Sequence, residues 1–121
     1  MIREDKFWVS NIGDSRAILC CKNEAIPISL DHKPEDIYEY TRIKGAGGDV
    51  KNGRILGGLN LSRAFGDFSL KSNRSVPYNE QMVTCIPTVI EQKRSSEDQF
   101  IFLASDGIWE NYGRQNQKLV D

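Results

Sequence analysis

The sequence predicts an antiparallel α+β domain. Three observations lead there. Short apolar runs recur at close spacing between clusters of turn residues. Only one or two stretches carry a helical period. The balance of 39% apolar and 27% charged residues is that of an ordinary globular protein. At 121 residues the chain makes at most one domain with a core of moderate size.

In chain order, Phe7-Trp8-Val9 and Arg16 to Cys21 are strand-like runs on either side of Asn11-Ile12-Gly13-Asp14-Ser15. Residues 6–21 are therefore predicted as a β-hairpin with Asp14 near its tip. Ala25 to Leu30 is a third short strand, which Pro27 assigns to an edge or a bulge. Pro34 suits a first helical position, and Glu35 and Asp36 suit the positive end of the helix dipole. The helix that follows, about ten residues by the usual spacing, has Ile37, Tyr40, Thr41 and Lys44 on one stripe, with Ile43 bordering it. Gly45, Gly47 and Gly48 stop it. Asn52-Gly53 between two short runs marks a hairpin. Leu59 and Leu61 alternate with polar residues as in a half-buried strand, and residues 68–81 read as an exposed loop. Met82 to Ile86 and Thr88 to Gln92 are strand candidates separated by Pro87. Phe100 to Ala104 is an unbroken apolar run ending in Ser105-Asp106-Gly107, as in a strand buried on both faces. After Trp109 the composition turns polar, with no aliphatic residue from Asn111 to Lys118.

Several function classes are disfavoured. A net charge of −1 gives no global attraction to nucleic acid or to anionic lipid. No apolar run approaches the roughly 18–20 residues that cross a bilayer, and the start does not resemble a signal peptide. The expected partners thus include neither nucleic acid nor membrane. Three cysteines, two of them adjacent, and no CxxC suggest free thiols in a reducing compartment, cytoplasmic or nuclear. The single histidine leaves no Cys/His zinc cluster of the usual spacing. The glycines at 45, 47 and 48 fit no nucleotide-binding loop.

The chemistry-bearing residues are carboxylates beside glycines. Asp14 follows Gly13 in a turn, Asp106 follows an apolar strand, and Glu110 lies four residues beyond Asp106. Hard divalent cations take oxygen ligands from turns of this kind, which a neighbouring glycine lets approach closely. Asp14 and Asp106 converge if their strands lie side by side, and Glu110 shares a face with Asp106 if a helix begins at Gly107. The structural alternatives are a helix cap for Asp106, an internal ion pair or backbone-bonded arginine for Arg63, and a capping segment for His32.

Read together, these motifs resemble the metal-dependent type 2C Ser/Thr protein phosphatases (the PPM-type phosphatase domain). The matching text runs through Ser10-Asn11-Ile12-Gly13-Asp14-Ser15-Arg16-Ala17, then Leu30-Asp31-His32-Lys33-Pro34 with Glu39 and Arg42-Ile43. It continues through Gly45-Ala46-Gly47-Gly48-Asp49-Val50, Asn52-Gly53-Arg54 and Leu61-Ser62-Arg63-Ala64-Phe65-Gly66-Asp67, and ends at Leu103-Ala104-Ser105-Asp106-Gly107-Ile108-Trp109-Glu110. The resemblance implies part of a two-sheet antiparallel β-sandwich flanked by helices. It implies two Mg²⁺ or Mn²⁺ ions, with a third in an accessory site, and a metal-activated water that hydrolyses phosphoserine or phosphothreonine in a phosphoprotein substrate. Carried over residue by residue, Asp106 matches a ligand of the binuclear centre, and Asp14 and Glu110 match carboxylates that hold the additional metal with it. Glu110 departs from the aspartate common at its position. The segment from Val50 through the loop at 68–81 falls near the family's variable flap.

The resemblance also implies absences. The family's N-terminal third, with its phosphate-gripping arginine and its metal-binding Glu-Asp pair, has no counterpart in the matching text, and neither its Asp-Gly-His-Gly motif nor its terminal Asp-Asn motif occurs in these 121 residues. Residues 1–121 are therefore expected to be a partial phosphatase domain, inactive by itself. The alternative is a non-catalytic relative acting as a regulatory binding module. A haloacid-dehalogenase-like phosphotransferase is disfavoured, because it wants a second aspartate two residues after the first and position 108 is isoleucine. Substrate identity, regulation and oligomeric state have no signature in the sequence.

Overall fold

The computed structural model describes residues 1–110. It divides into two compact units, one formed by Met1–Asp31 with the chain from Thr88 on, the other by His32–Pro87.

The first unit is a pair of antiparallel sheets. β1 (Lys6–Asn11) pairs with β6 (Thr88–Lys93), while β2 (Arg16–Cys21) lies between β3 (Glu24–Pro27) and β7 (Asp98–Ala104). The hairpin predicted over residues 6–21 does not form: β1 and β2 belong to different sheets. The reason is the period-2 pattern. Phe7 and Val9 on one strand and Ala17, Leu19 and Cys21 on the other all need burial, and they pack face to face with Ile28 and Ile101 in one cluster. Edge-to-edge pairing would have set those side chains beside one another on one open face, without a facing sheet to bury them. Gly13, at φ 100°, turns the chain from one sheet into the other.

β3 is an edge strand with Pro27 at its end, as predicted. β7 is not buried on both faces. It is bonded on one side, to β2, and among the described residues its other edge carries no strand; Phe100 is 45% and Leu103 69% exposed.

In the second unit, α1 (Ile37–Gly45) starts three residues after Pro34, which lies buried in the preceding turn rather than in the helix. The predicted stripe is inverted. Ile37 is 70% exposed, Tyr40, Thr41 and Lys44 are exposed too, and the buried face is Glu39 and Ile43. The glycine stop holds, with the amides of Ala46, Gly47 and Gly48 bonded back to Arg42, Lys44 and Ile43. The Asn-Gly hairpin also holds. β4 (Val50–Lys51) pairs with β5 (Arg54–Ile55) across Asn52 and Gly53, both at positive φ.

Two strand predictions fail. Leu59–Leu61 and Met82–Ile86 contribute isolated bridges, Ile55 to Leu59 and Arg63 to Thr84. Arginine side chains bond backbone carbonyls at and beside these segments. Arg42 donates to the carbonyls of Ser62 (2.7 Å) and Gln81 (3.0 Å), and Arg63 to that of Ile86 (2.9 Å). Both arginines also bind Glu39, which is buried at 4% exposure. The loop at 68–81 contains two short 3₁₀ turns, Phe68–Lys71 and Tyr78–Glu80. Gln81 is buried at its end. Ile43, Ile55 and Val83 form the apolar core of this unit.

Candidate functional site

The register of β2 against β7 decides where the predicted ligands lie. Arg16 is opposite Ala104 in an antiparallel pair. Asp14 precedes Arg16 by two residues and Asp106 follows Ala104 by two, so both carboxylates leave the same end of the two strands. The conditional prediction about Asp14 and Asp106 is met in its premise: their strands are neighbours.

Each turn is held by identifiable bonds. The Asn11 amide donates to the carbonyls of Gly13 (3.1 Å) and Leu30 (2.8 Å), fixing the turn that carries the half-buried Asp14. Ser105 is the N-cap of α2 (Asp106–Trp109), so Asp106 is the first helical residue and not the cap. Its carbonyl accepts from the Glu110 amide at 2.8 Å, one helical turn on. Asp106 and Glu110 are both exposed.

Between the two turns sits a contact that sequence reasoning missed. The Arg16 guanidinium is bidentate to Asp31, Nε to Oδ1 at 3.1 Å and Nη2 to Oδ2 at 2.8 Å. The pair holds Arg16 further toward its charged form. The same guanidinium lies 5.5 Å from the centroid of the Trp109 ring. Trp109 is 6% exposed, donates its indole N–H to the Ala104 carbonyl at 2.6 Å, and meets Phe102 edge-on at 5.7 Å. The one available signal was Arg16 beginning β2 on the face of Ile18, the face that the pairing with β7 shares with Phe102.

The donor chemistry of Asp14, Asp106 and Glu110 is oxygen only, which suits Mg²⁺ or Mn²⁺. Among the described residues, no three His, Cys, Asp or Glu side chains form a group able to hold an ion. Asp14, Asp106 and Glu110 thus offer oxygens of the right chemistry, and the described residues gather no complete ligand set.

The other candidates resolve structurally. Arg63 forms an ion pair with Glu39 and bonds a backbone carbonyl, as the structural alternative had it. Burial raises the Glu39 carboxyl, but hydrogen bonds from Arg63, Ser62 and Arg42 outweigh it and bring the group down to about 2. His32 is buried and its carbonyl accepts from the Ser62 amide and hydroxyl. Cys20 is buried, Cys21 half-buried and Cys85 exposed, all three free thiols. The polar stretch from Asn111 lies outside the described residues.

The protein phosphatase 2C family model matches residues 1–121. The chain is 48% identical over 121 residues to protein phosphatase ppm-1.G of Caenorhabditis elegans, aligning over all of this chain and 24% of that protein. It is 44% identical over 120 residues to probable protein phosphatase 2C 21 of Oryza sativa subsp. japonica, covering 99% of this chain and 35% of that one. The crystal structure of a phosphatase from a pathogenic strain of Toxoplasma gondii superposes with a TM-score of 0.83 at 40% identity, over 88% of this chain and 33% of that one. The chain therefore belongs to the protein phosphatase 2C family and shares its α+β fold. It spans about a quarter to a third of the length of these relatives.

Proposed function

We propose that the protein carrying this chain is a metal-dependent protein serine/threonine phosphatase acting on phosphoserine and phosphothreonine in cytoplasmic or nuclear phosphoproteins. The observation that carries the reading is the β2–β7 register, which brings Asp14 and Asp106 to one strand end in a member of this family. Asp106, Asp14 and Glu110 would supply oxygen ligands to Mg²⁺ or Mn²⁺. Bound cations of this kind activate water and neutralise charge on a transferring phosphoryl group. The chain's own part is to hold the carboxylates at the end of a packed sheet, with Asp14 half-buried and Asp106 and Glu110 exposed. Because the described residues assemble no three-ligand group, the 121 residues by themselves are proposed to hydrolyse little substrate.

The test is Mn²⁺-dependent hydrolysis of a phosphothreonine peptide by the full-length protein. Asp106→Asn is expected to lower turnover by about 100-fold or more, the equivalent of about 3 kcal/mol or more of lost charge stabilisation. Full activity of the wild-type protein in excess chelator would sink the metal reading.

A further inference from the structure

We propose that Arg16 is a positioning residue for the carboxylate site, joining the turn that carries Asp14 to the helix that carries Asp106 and Glu110. The inference rests on the metal reading above and adds a device to it. Arg16 follows Asp14 by two residues, so its backbone anchors one side of the site. Its guanidinium lies over the ring of Trp109, the last residue of α2, which anchors the other. Asp31 fixes the plane of that guanidinium through two parallel hydrogen bonds. The Trp109 indole closes the loop by bonding the carbonyl of Ala104, the residue opposite Arg16 in the ladder. Three contacts in a ring, braced by the two bonds to Asp31, thus tie together two turns that the backbone pairing alone leaves free to shift beyond Arg16 and Ala104.

The role is geometric. Asp31 pairs with the Arg16 guanidinium at 2.8 Å, which fixes its place. Only arginine can be bidentate to a carboxylate and flat against an indole at the same time; lysine is a point charge on a flexible stem. A group that orients ligands without touching the ion alters metal affinity by about 10–100-fold when removed.

The experiment titrates Mn²⁺ into full-length wild-type, Arg16→Met, Arg16→Lys and Trp109→Phe proteins. Free Mn²⁺ is read by electron paramagnetic resonance, with thermal midpoints and phosphopeptide hydrolysis measured in parallel. The expected result is a weakening of Mn²⁺ binding by about tenfold in Arg16→Met, a smaller weakening in Arg16→Lys and Trp109→Phe, and turnover at saturating Mn²⁺ within about twofold of wild type. An unchanged Mn²⁺ midpoint with a lowered thermal midpoint would reduce Arg16 to a structural residue and overturn the proposal. Tighter Mn²⁺ binding would overturn it differently, by making Arg16 an electrostatic competitor of the cation. Should Arg16→Met not fold, the same shift in Arg16→Lys and Trp109→Phe decides the matter. Wild-type protein that binds no Mn²⁺ overturns the metal reading itself, an outcome distinct from an unaltered midpoint in the variants.

Discussion

Glu39 shows how one residue sets a segment's structure. Its helical position looks like part of a solvated face, yet it is buried between Arg42 and Arg63 and accepts a hydrogen bond from the Ser62 hydroxyl. A carboxylate there is tolerable only because its partners stay with it; removing one leaves an uncompensated buried charge. Its carboxyl lies near 2 in the fold against an ordinary 4.5. The folded state thus holds the proton less tightly than the unfolded one. The associated stabilisation is complete above about pH 4.5 and is lost as pH falls toward 2. That difference corresponds to about 3 kcal/mol. Glu39→Gln is expected to destabilise the protein by a similar amount at neutral pH and to flatten its stability profile between pH 4.5 and 2. Urea unfolding at a series of pH values checks both.

At the level of elements, the end of α1 separates two glycines that look equivalent in the sequence. A Cβ at Gly48 would come within 2.8 Å of Ile43 Cγ2 and 3.0 Å of the Ile43 carbonyl, whereas one at Gly45 meets nothing within 4 Å. Gly48→Ala is therefore expected to destabilise by about 1–3 kcal/mol through overpacking. Gly45→Ala, at the last helical position, is expected to be neutral or to stabilise by up to about 1 kcal/mol. Thermal midpoints of the two variants, compared in one buffer, test the pair. The same segment explains why helical spacing misplaced the buried face of α1. The spacing favoured Ile37 and Tyr40, but the ion-paired Glu39 and the Ile43 contact with Ile55 and Val83 turn the helix the other way.

Across the whole molecule, β7 is the strand whose environment decides most. Its run from Gln99 to Ala104 carries no charge, and among the described residues one of its edges is unpaired. Uncharged edges of this length template pairing with other chains. The 121 residues expressed alone are expected to self-associate with rising concentration, and Leu103→Lys to suppress it, as read by light scattering. Much of this organisation was legible in the sequence. The short strands, the Asn-Gly hairpin and the glycine stop of α1 follow from local chemistry, because turn geometry and period-2 burial act over a few residues. The failed hairpin over residues 6–21 and the two failed strands have one cause: a strand's partner is chosen by packing between distant segments, and apolar alternation does not name it. The contact of Arg16 with Asp31 and Trp109 lay beyond reach for the same reason, since it joins residues 15 and 93 positions apart. The sequence alone determined the family and the α+β class. Only the tertiary structure decided that β2 pairs with β7, which brings Asp14 and Asp106 to one end of the sheet and sets Arg16 between them.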